Sequence, residues 1–422
     1  MKVLWTTNII LPDMAIKLSK NYSNGGGWLI GLLNDLKKNE NIELIVCSPL
    51  VEEKEIIKFD IEGVRYYGFP KDKINPTQYD VSVEETLKMI LEIEKPDIVH
   101  IFGTEFPHTL SMVRAFNKPN KTIINIQGLT SVIAKHYLNG IPYSFQKKYT
   151  FRDFIRRDNL LRQKCKFEKR GKYEIEAIKN VDNVIGRTNW DKACIQEINN
   201  KINYYFCNET LRDEFYKHKW SINECDKYSV FVSQGSYPVK GLHFILEAMP
   251  KLIKKFPKVH LYIAGDNIVK NNSLIDNLKV SSYASYIKFL INKYKLSDYI
   301  TFLGNLDEKE MCLRFLKTHV FVSSSIIENS PNSLGEAMIL GVPCIASYVG
   351  GVPDMITHNI EGFLYQVDAP YMLAYYISKI FEDNKKTIEL SKNAILRAEL
   401  THDKEKNSKR ILEIYNQIFS KE

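Results

Sequence analysis

The sequence predicts an α/β protein made of two doubly wound domains, and three observations lead to this prediction. The chain has 422 residues, whereas a typical domain has about 150. Short runs rich in β-branched residues alternate with longer amphipathic stretches from end to end, which is typical of parallel sheets covered by helices. This alternation breaks once, around residues 210–228, in the polar stretch LRDEFYKHKWSINECDKY. We interpret that stretch as the linker between the two domains.

Six strands are predicted in each half of the chain. Those of the first half are 3–7, 42–48, 64–68, 98–102, 122–126 and 183–186. Those of the second half are 229–233, 259–265, 300–304, 320–323, 344–347 and 362–365. From about 403 to 419, apolar residues at i, i+3, i+4 and i+7 predict a final helix. These apolar residues are Ile411, Ile414, Tyr415 and Ile418.

Composition limits the class of protein. With 44% hydrophobic and 26% charged residues and a net charge of +8, the chain is an ordinary globular protein and not a disordered one. The seven cysteines include no C-x-x-C pair, which argues against a disulfide framework or zinc ribbon and favours a reducing compartment. No apolar run approaches the roughly 18 residues that span a bilayer, and Met1–Leu11 is interpreted as a strand, not a signal peptide. We therefore expect a soluble, cytoplasmic protein, with a place at the inner face of the cell membrane left open.

Two carboxylates flank the start of one predicted helix in the second half. Glu328 and Glu336 lie eight residues apart, just after a predicted strand. Pro331 suits the first turn of that helix, and Asn329 or Ser330 suits its cap. Glu336 then falls more than one turn inside the helix, whereas Glu328 precedes it.

Between these carboxylates, the backbone N–H groups of Asn332 and Ser333 lie at the positive end of the helix dipole, where anions bind. One carboxylate for a ribose diol, N–H groups for phosphate and a second carboxylate for a sugar describe a nucleotide-sugar site. The alternative is a capped amphipathic helix with a solvated glutamate, and the spacing alone favours that simpler interpretation.

The flanking residues carry more information than the spacing. E-x7-E followed by AM-x2-G-x-P-x-I-A and GG-x-P-D-x-I resembles the retaining GT-B glycosyltransferases of family 4 (glycosyltransferase group 1), of the bacterial polysaccharide type. The resemblance covers nearly the whole C-terminal half, including the stretches 259–267, 302–306 and 361–365.

The resemblance implies a GT-B fold, in which two Rossmann-like domains face each other across a cleft. Residues 1–215 would form the acceptor-side domain, on which the final helix (403–422) packs back, and residues 228–402 would bind the nucleotide sugar. It also implies that Glu336 binds the ribose hydroxyls and that Glu328 binds the donor sugar.

Lys240 ends the stretch VSQGSYPVKG, directly after a predicted strand and at the start of a helix. A cation there can neutralise a diphosphate leaving group, although a lone lysine is by default a surface residue. In the family the equivalent lysine has this role, together with an arginine five or six residues earlier. Gly235 and Gln234 occupy those positions here, so the usual second cation is missing.

The stretch SNGGGW at 23–28 starts a helix about fifteen residues after the first strand. It is not a dinucleotide fingerprint, which needs G-x-G-x-x-G immediately after the strand. The resemblance implies that Gly26 and Gly27 approach the phosphate and sugar of the donor. The alternative is a plain flexible loop.

Several polar residues follow the strands of the first half. His100 lies inside a strand and is expected to be a packed core residue, whereas Glu105 and His108 follow that strand on the cleft side. Gln127 stands where many family members carry a histidine. Because glutamine does not titrate, the sequence provides no general base on that loop.

Arg187 follows another predicted strand, in the stretch NVIGRTNWDKA. Related bacterial glycosyltransferases carry a similar R-T-x-W-D. Three roles remain open for Arg187: the second cation beside Lys240, a partner for an acidic acceptor, or a structural salt bridge with Asp191.

The basic segment, residues 147–172, has eleven Lys and Arg residues against three acids, with aromatic and aliphatic residues between them. Such a surface can lie on anionic lipid head groups, which would suit a lipid-linked acceptor. The alternative is a solvated helix face. No nucleic-acid recognition motif accompanies the segment.

Taken together, these features predict a metal-independent, retaining glycosyltransferase. It would move a sugar from a UDP- or GDP-sugar to a hydroxyl of a glycan or lipid-linked acceptor, with no cofactor. Lys240 and Glu328 are the expected catalytic residues, and no D-x-D metal motif occurs. Two alternatives remain, namely a nucleotide-sugar epimerase on the same fold and a non-enzymatic nucleotide- or sugar-binding relative.

Overall fold

The computed structural model describes residues 1–20, 26–51, 53–71, 77–270 and 278–420. The chain divides into two compact units. The first unit contains Met1–Ala134, Lys166–Thr210 and His402–Glu422, and the second contains Lys135–Cys165 and Leu211–Thr401. The sequence analysis assigns residues 135–165 to the N-terminal domain, whereas in the structure they pack with the second unit.

The first unit is built on one sheet whose strand order is β3-β4-β2-β1-β5-β6-β7-β8. Its strands are β1 (Lys2–Thr6), β2 (Glu43–Leu50), β3 (Ile57–Ile61), β4 (Val64–Pro70), β5 (Ile98–Phe102), β6 (Thr122–Asn125), β7 (Asn183–Gly186) and β8 (Asn203–Phe206). All neighbouring strands pair in parallel except β3 and β4, which are antiparallel. Leu4 packs on one face of the sheet and Val3 and Trp5 on the other, because side chains alternate along a strand.

Helices cover both faces of this sheet. They are α1 (Pro12–Lys17), α2 (Gly27–Leu36), α3 (Val81–Glu94), α4 (His108–Phe116), α5 (Thr130–His136), α8 (Leu160–Lys179), α9 (Asn189–Ile198) and α17 (Lys404–Phe419). Two short helices of the second unit, α6 (Tyr143–Gln146) and α7 (Phe151–Arg156), lie between α5 and α8 in the chain.

The second unit has a parallel six-stranded sheet in the order β11-β10-β9-β12-β13-β14. Its strands are β9 (Asp226–Val232), β10 (His260–Ala264), β11 (Ile300–Gly304), β12 (Thr318–Ser323), β13 (Cys344–Ser347) and β14 (Gly362–Tyr365). Its helices after β9 are α10 (Leu242–Lys255), α11 (Ser282–Lys293), α12 (Glu308–Leu316), α13 (Asn332–Leu340), the short α14 (Val352–Met355), α15 (Pro370–Glu382) and α16 (Asn384–Thr401).

The polar stretch that we interpret as a linker is part of the core of the second unit, so that interpretation is wrong. Leu211 and Phe215 are fully buried, and the indole N–H of Trp220 donates to the carbonyl oxygen of Thr318 at 2.7 Å. The apolar side chains in this stretch anchor it, while charged residues such as Asp213, Lys217 and Lys219 are exposed.

The final helix, α17, packs on the first unit as predicted. Its apolar stripe is buried against α2 and the sheet. The Tyr415 hydroxyl lies 2.6 Å from Nδ1 of His100 and 2.9 Å from the indole nitrogen of Trp5. His100 is therefore the packed core residue that its strand position predicts. Within the described residues, no helix is long and apolar enough to cross a membrane.

Candidate functional site

The order of strands in the second sheet reverses between β9 and β12, and ligands bind at such switch points in doubly wound folds. Lys240 follows β9 and Glu328 follows β12. Their side chains form an ion pair with Nζ 2.8 Å from Oε2, and each side chain is 21% exposed. Although burial lowers the pKa of Lys240, the Glu328 carboxylate and Tyr237 raise it above its usual value. Lys240 is therefore charged and accessible at the switch point.

Backbone contacts hold both residues of this pair in place. The carbonyl oxygen of Lys240 accepts from the Ser324 hydroxyl at 2.8 Å, and that of Glu328 accepts from the N–H of Gly351 at 3.1 Å. Gly350 has φ +51°, and a Cβ atom there would lie 2.0 Å from the Glu328 carbonyl oxygen. The loops that follow three neighbouring strands, β9, β12 and β13, thus hold the Lys240–Glu328 pair in one arrangement.

Helix α13 begins at Asn332, with Pro331 in the capping position and no side-chain cap. Pro331 therefore precedes the first turn, and the predicted cap at Asn329 or Ser330 is wrong by one or two residues. Asn332 and Ser333 are the first two helical residues, so their N–H groups have no acceptor within the helix. Glu336 lies inside the helix, as predicted, and is buried.

Glu336 forms an ion pair that the sequence analysis missed. The Arg212 guanidinium donates from Nε to Oε1 at 2.6 Å and from Nη2 to Oε2 at 2.8 Å. Burial raises the pKa of Glu336, while Arg212 acts in the opposite direction. Arg212 stands in the stretch that we interpret as a linker. The apolar residues Leu211 and Phe215, which the structure buries, were the signal that this stretch belongs to the core.

Packing disfavours a side chain at Gly235, one of the two positions where the resemblance expects an arginine. A Cβ atom at Gly235 would lie 2.9 Å from Leu242 Cδ2 and 3.1 Å from Ile263 Cγ2, so no side chain fits there without a shift. Gln234 is exposed. The neutral side chain of Gln234 therefore stands where the resemblance leads us to expect a cation.

The first sheet has its own switch point, between β1 and β5. Asn8 follows β1 and donates from Nδ2 to Oε2 of Glu105 at 2.6 Å, and the N–H of Gly128 after β6 donates to Oε1 at 3.2 Å. Burial raises the pKa of Glu105 to about 7, although the hydrogen bond from Gly128 opposes this. Glu105 is a half-buried carboxylate that titrates near neutrality.

Other predicted residues of the first unit are buried or bonded within it. His108 is 3% exposed. The Arg187 guanidinium is buried and donates to the Glu209 carboxylate, as does the Gln127 amide. The Asp191 carboxylate instead accepts from the backbone N–H of Arg187 at 2.9 Å. The ion pair of the Arg187 guanidinium is therefore with Glu209 and not with Asp191. Arg187 thus has a structural role in the first unit.

Gly26 and Gly27 open α2, as predicted, with Gly26 in the capping position. A Cβ atom at Gly26 would lie 2.1 Å from Ile9 Cδ1, so this glycine allows close packing against the chain after β1. Residues 23–25 of the same motif lie outside the described residues.

The basic segment is not one helix. Its first part forms α7 in the second unit, where the Asp153 carboxylate accepts from the backbone N–H of Ser282 at 2.8 Å. This bond turns the opposite side of α7 outwards. Phe151, Phe154 and Ile155 are 56%, 74% and 63% exposed, and Arg156 and Arg157 next to them are exposed too.

Comparison with known proteins identifies the region that contains the switch-point pair. Residues 212–397 match the family Glycosyl transferases group 1. This group 1 region starts at Arg212 and includes Lys240, Glu328 and Glu336. The chain spans about half the length of the curated relatives it matches. One of them is Spore coat protein SA of Bacillus subtilis, 27% identical over 191 residues, which is 45% of this chain and 48% of that protein.

Solved structures extend the likeness to both units. Sucrose-phosphate synthase from Thermosynechococcus elongatus is 16% identical and covers 100% of both chains with a TM-score of 0.70. The Anabaena HepE protein, solved with UDP-glucose, is 16% identical and covers 99% of this chain and 100% of its own, with a TM-score of 0.66. The predicted GT-B fold class is therefore confirmed.

Proposed function

We propose that this protein is a retaining, metal-independent glycosyltransferase that moves a sugar from a nucleotide-diphosphate sugar to a hydroxyl acceptor in polysaccharide or glycolipid biosynthesis. The observation that carries the proposal is the Lys240–Glu328 pair at the switch point of the second sheet. The group 1 region around this pair supports glycosyl transfer as the reaction.

In the proposed reaction, the bond between the anomeric carbon and the β-phosphate oxygen breaks, so negative charge develops on the phosphate. Lys240 and the N–H groups of Asn332 and Ser333 stabilise that charge, because they are in place before the bond breaks. Glu328 binds hydroxyls of the donor sugar. The leaving phosphate takes the proton of the acceptor hydroxyl, which attacks from the face that the phosphate leaves.

Glu336 is proposed to bind the ribose hydroxyls. Each of its oxygens accepts one hydrogen bond from Arg212, and a carboxylate oxygen can accept two. Both oxygens therefore retain an acceptor position for a diol. Arg212 fixes the orientation of the carboxylate and opposes the effect of burial on its pKa, and so acts as a positioning residue.

The first experiment is incubation of the protein with UDP-glucose and GDP-mannose, with and without EDTA and without acceptor. Because a structural relative was solved with UDP-glucose, that donor is the first choice. A transferase slowly hydrolyses its donor whether or not EDTA is present. An epimerase makes a new nucleotide sugar, and a binding relative makes no product. Loss of hydrolysis in EDTA would contradict the metal-independent mechanism.

We also propose that the exposed aromatic and basic side of α7 contacts anionic membrane. Tyr149, Phe151, Phe154 and Ile155 are each more than half exposed, and the neighbouring arginines can interact with lipid phosphates. Membrane contact would bring the protein to a lipid-linked acceptor. We therefore place it at the inner face of the cell membrane.

Flotation with phosphatidylglycerol vesicles tests this contact. Changing Lys147, Arg156 and Arg157 to Gln should weaken binding by roughly 100-fold, since each cation contributes about 1 kcal/mol at an anionic surface. The matched control changes three other exposed lysines of the second unit, Lys254, Lys258 and Lys385, and should bind like wild type. If both triple variants lose the same amount of vesicle binding, the loss reflects only the general positive charge of the protein and contradicts a specific contact through α7.

A further inference from the structure

Tyr237 lies beside the Lys240–Glu328 pair, on the turn that carries Lys240. It directly precedes the 3₁₀ turn Pro238–Lys240, and its carbonyl oxygen accepts from the N–H of Lys240 at 3.2 Å. Residues i and i+3 of such a turn lie one above the other, so the phenol and the ammonium group are on the same side. Lys240 Nζ lies 5.8 Å from the centre of the Tyr237 ring.

Packing holds this turn against the loop that follows β12. Val239 is buried, and its carbonyl oxygen accepts from the N–H of Ile326 at 2.7 Å. A Cβ atom at Gly241, which has φ +67°, would lie 2.0 Å from the Ser324 carbonyl oxygen. The backbone on both sides of Lys240 is therefore fixed to the loop that carries Glu328, and Tyr237 begins that fixed turn.

The hydroxyl of Tyr237 has a proton to donate. This hydroxyl interacts with the Lys240 ammonium group, and because an ammonium group has only donors, the phenol oxygen is the acceptor in that contact. Among the residues that the structure describes, no acceptor binds the phenol proton. Burial raises the pKa of Tyr237, although Lys240 acts in the opposite direction, so the phenol is protonated near neutral pH. A half-buried O–H donor thus lies beside the cation of the pair.

An oxyanion is the ligand that suits these two donors together. An ammonium group is a compact charge that attracts any anion, whereas a hydroxyl adds a hydrogen bond at a fixed position. A phosphate has several acceptor oxygens on one centre, so it can accept from both groups at once. The hydroxyl is also held in place before the ligand arrives, and donors of this kind stabilise charge that develops during a reaction.

We propose that Tyr237 is a further catalytic residue, whose hydroxyl donates to an oxygen of the donor's β-phosphate while Lys240 binds the same phosphate. A neutral donor then supplies the second contact for which the resemblance expects an arginine at position 234 or 235. As the bond to the anomeric carbon breaks, negative charge increases on the phosphate and strengthens this hydrogen bond. The phenol keeps its proton, because the leaving phosphate takes that of the acceptor hydroxyl. This assignment rests on the proposed function, since it places the β-phosphate of a nucleotide sugar at Lys240.

The test is Tyr237→Phe, which removes the hydroxyl and keeps the ring. Calorimetry compares UDP with UMP and GDP with GMP, because only the diphosphates carry a β-phosphate. The variant should bind the diphosphate about 10- to 100-fold more weakly, the effect of losing a hydrogen bond to a charged group, and the monophosphate like wild type. The kcat for donor hydrolysis should also fall, with an unchanged melting temperature.

The matched control is Tyr371→Phe. Tyr371 is an exposed tyrosine of the same unit, with Nζ of Lys251 5.6 Å from the centre of its ring. The control variant should bind both nucleotides and hydrolyse the donor like wild type. A loss in the control as large as in Tyr237→Phe would overturn the proposal, and so would an equal loss of monophosphate and diphosphate binding in Tyr237→Phe.

A double variant separates direct contact with the phosphate from an effect through Lys240. In the Lys240→Ala background, Tyr237→Phe should still weaken diphosphate binding, measured by NMR titration because the affinity is low. This loss is expected because the phenol itself contacts the phosphate. No further loss in that background would show that Tyr237 only positions Lys240, and would overturn the direct contact.

Inorganic pyrophosphate distinguishes failure of this proposal from failure of the proposed function. If wild type binds neither UDP nor GDP, the proposed function fails, and pyrophosphate then tests the oxyanion contact alone. Weaker pyrophosphate binding in Tyr237→Phe than in wild type would support the contact, whereas equal affinity or no binding at all would refute it. If wild type hydrolyses the donor and Tyr237→Phe matches it in rate and diphosphate affinity, the contact is refuted and the proposed function stands.

Discussion

Replacing Arg212 by Met tests the energetics of the Arg212–Glu336 pair. The two side chains are 13% and 5% exposed, and removing one partner of a buried pair costs about 3–5 kcal/mol because the other charge is left uncompensated. Since burial already raises the pKa of Glu336, loss of Arg212 should raise it further. The charged form then destabilises the folded state, so the loss of stability should be larger at pH 8 than at pH 5.

Urea unfolding at the two pH values measures this difference. Trp220 is the one tryptophan in the sequence of the second unit, and it is buried, so its fluorescence reports unfolding of that unit. The double variant Arg212→Met with Glu336→Met is the control, because it removes both charges and should recover most of the stability. A loss below about 0.5 kcal/mol at both pH values, the range of an ordinary surface substitution, would refute the reasoning, and so would an equal loss at pH 5 and pH 8.

Four further substitutions are expected to separate binding from catalysis. Lys240→Ala should lower kcat/KM for the donor by about 10²–10³ with an unchanged melting temperature, and near-normal turnover would remove its catalytic role. Glu328→Gln should strengthen UDP binding by about 1 kcal/mol, because Lys240 loses a competing partner, while transfer of the sugar falls; calorimetry showing weaker UDP binding would contradict this. Glu336→Gln should weaken UDP binding by about 1.5–3 kcal/mol, and unchanged affinity would place it outside the site. Gly350→Ala should lower both melting temperature and turnover, since its Cβ would lie 2.0 Å from the Glu328 carbonyl oxygen; a fully active variant would show that the loop can shift freely.

The strands that the sequence analysis missed are the two at the edges of the first sheet. β3 and β8 occupy the ends of the strand order. β3 alternates between half-buried and exposed residues, and β8 is exposed at both ends with only Tyr205 buried. Central strands such as β5 are buried along their whole length, so they appear as continuous apolar runs that are easy to recognise. Edge strands have no neighbour on one side, and their short alternating patterns resemble loops.

In the candidate site, too, some residues could be predicted from the sequence and others could not. The positions of Lys240 and Glu328 after strands and of Glu336 inside a helix are as predicted, whereas their roles come from the resemblance of the flanking residues and stay predictions. Arg212 could not be predicted, because its partner is 124 residues away and no local pattern links the two residues. Of the three roles left open for Arg187, the ion pair with Asp191 does not form: Asp191 is close in sequence, but its carboxylate caps the first turn of α9, and Arg187 pairs with Glu209 instead. Local spacing thus predicts which residues follow strands, while ion pairs between residues distant in sequence can be identified only from the fold.

The Lys240–Glu328 pair also bears on the missing arginine. In the protein without donor, the Lys240 charge is already balanced by a carboxylate 2.8 Å away, so a diphosphate must compete with Glu328 for this cation. A second cation would hold the diphosphate independently of that exchange, but the two positions where the resemblance expects one carry Gln234 and Gly235. We therefore propose that the site couples the two ends of the donor: when the phosphate binds Lys240, Glu328 is released to bind the sugar hydroxyls. A nucleoside diphosphate without a sugar leaves the released Glu328 carboxylate without a hydrogen-bond donor. For this reason the proposed site should bind the intact donor better than the nucleoside diphosphate product.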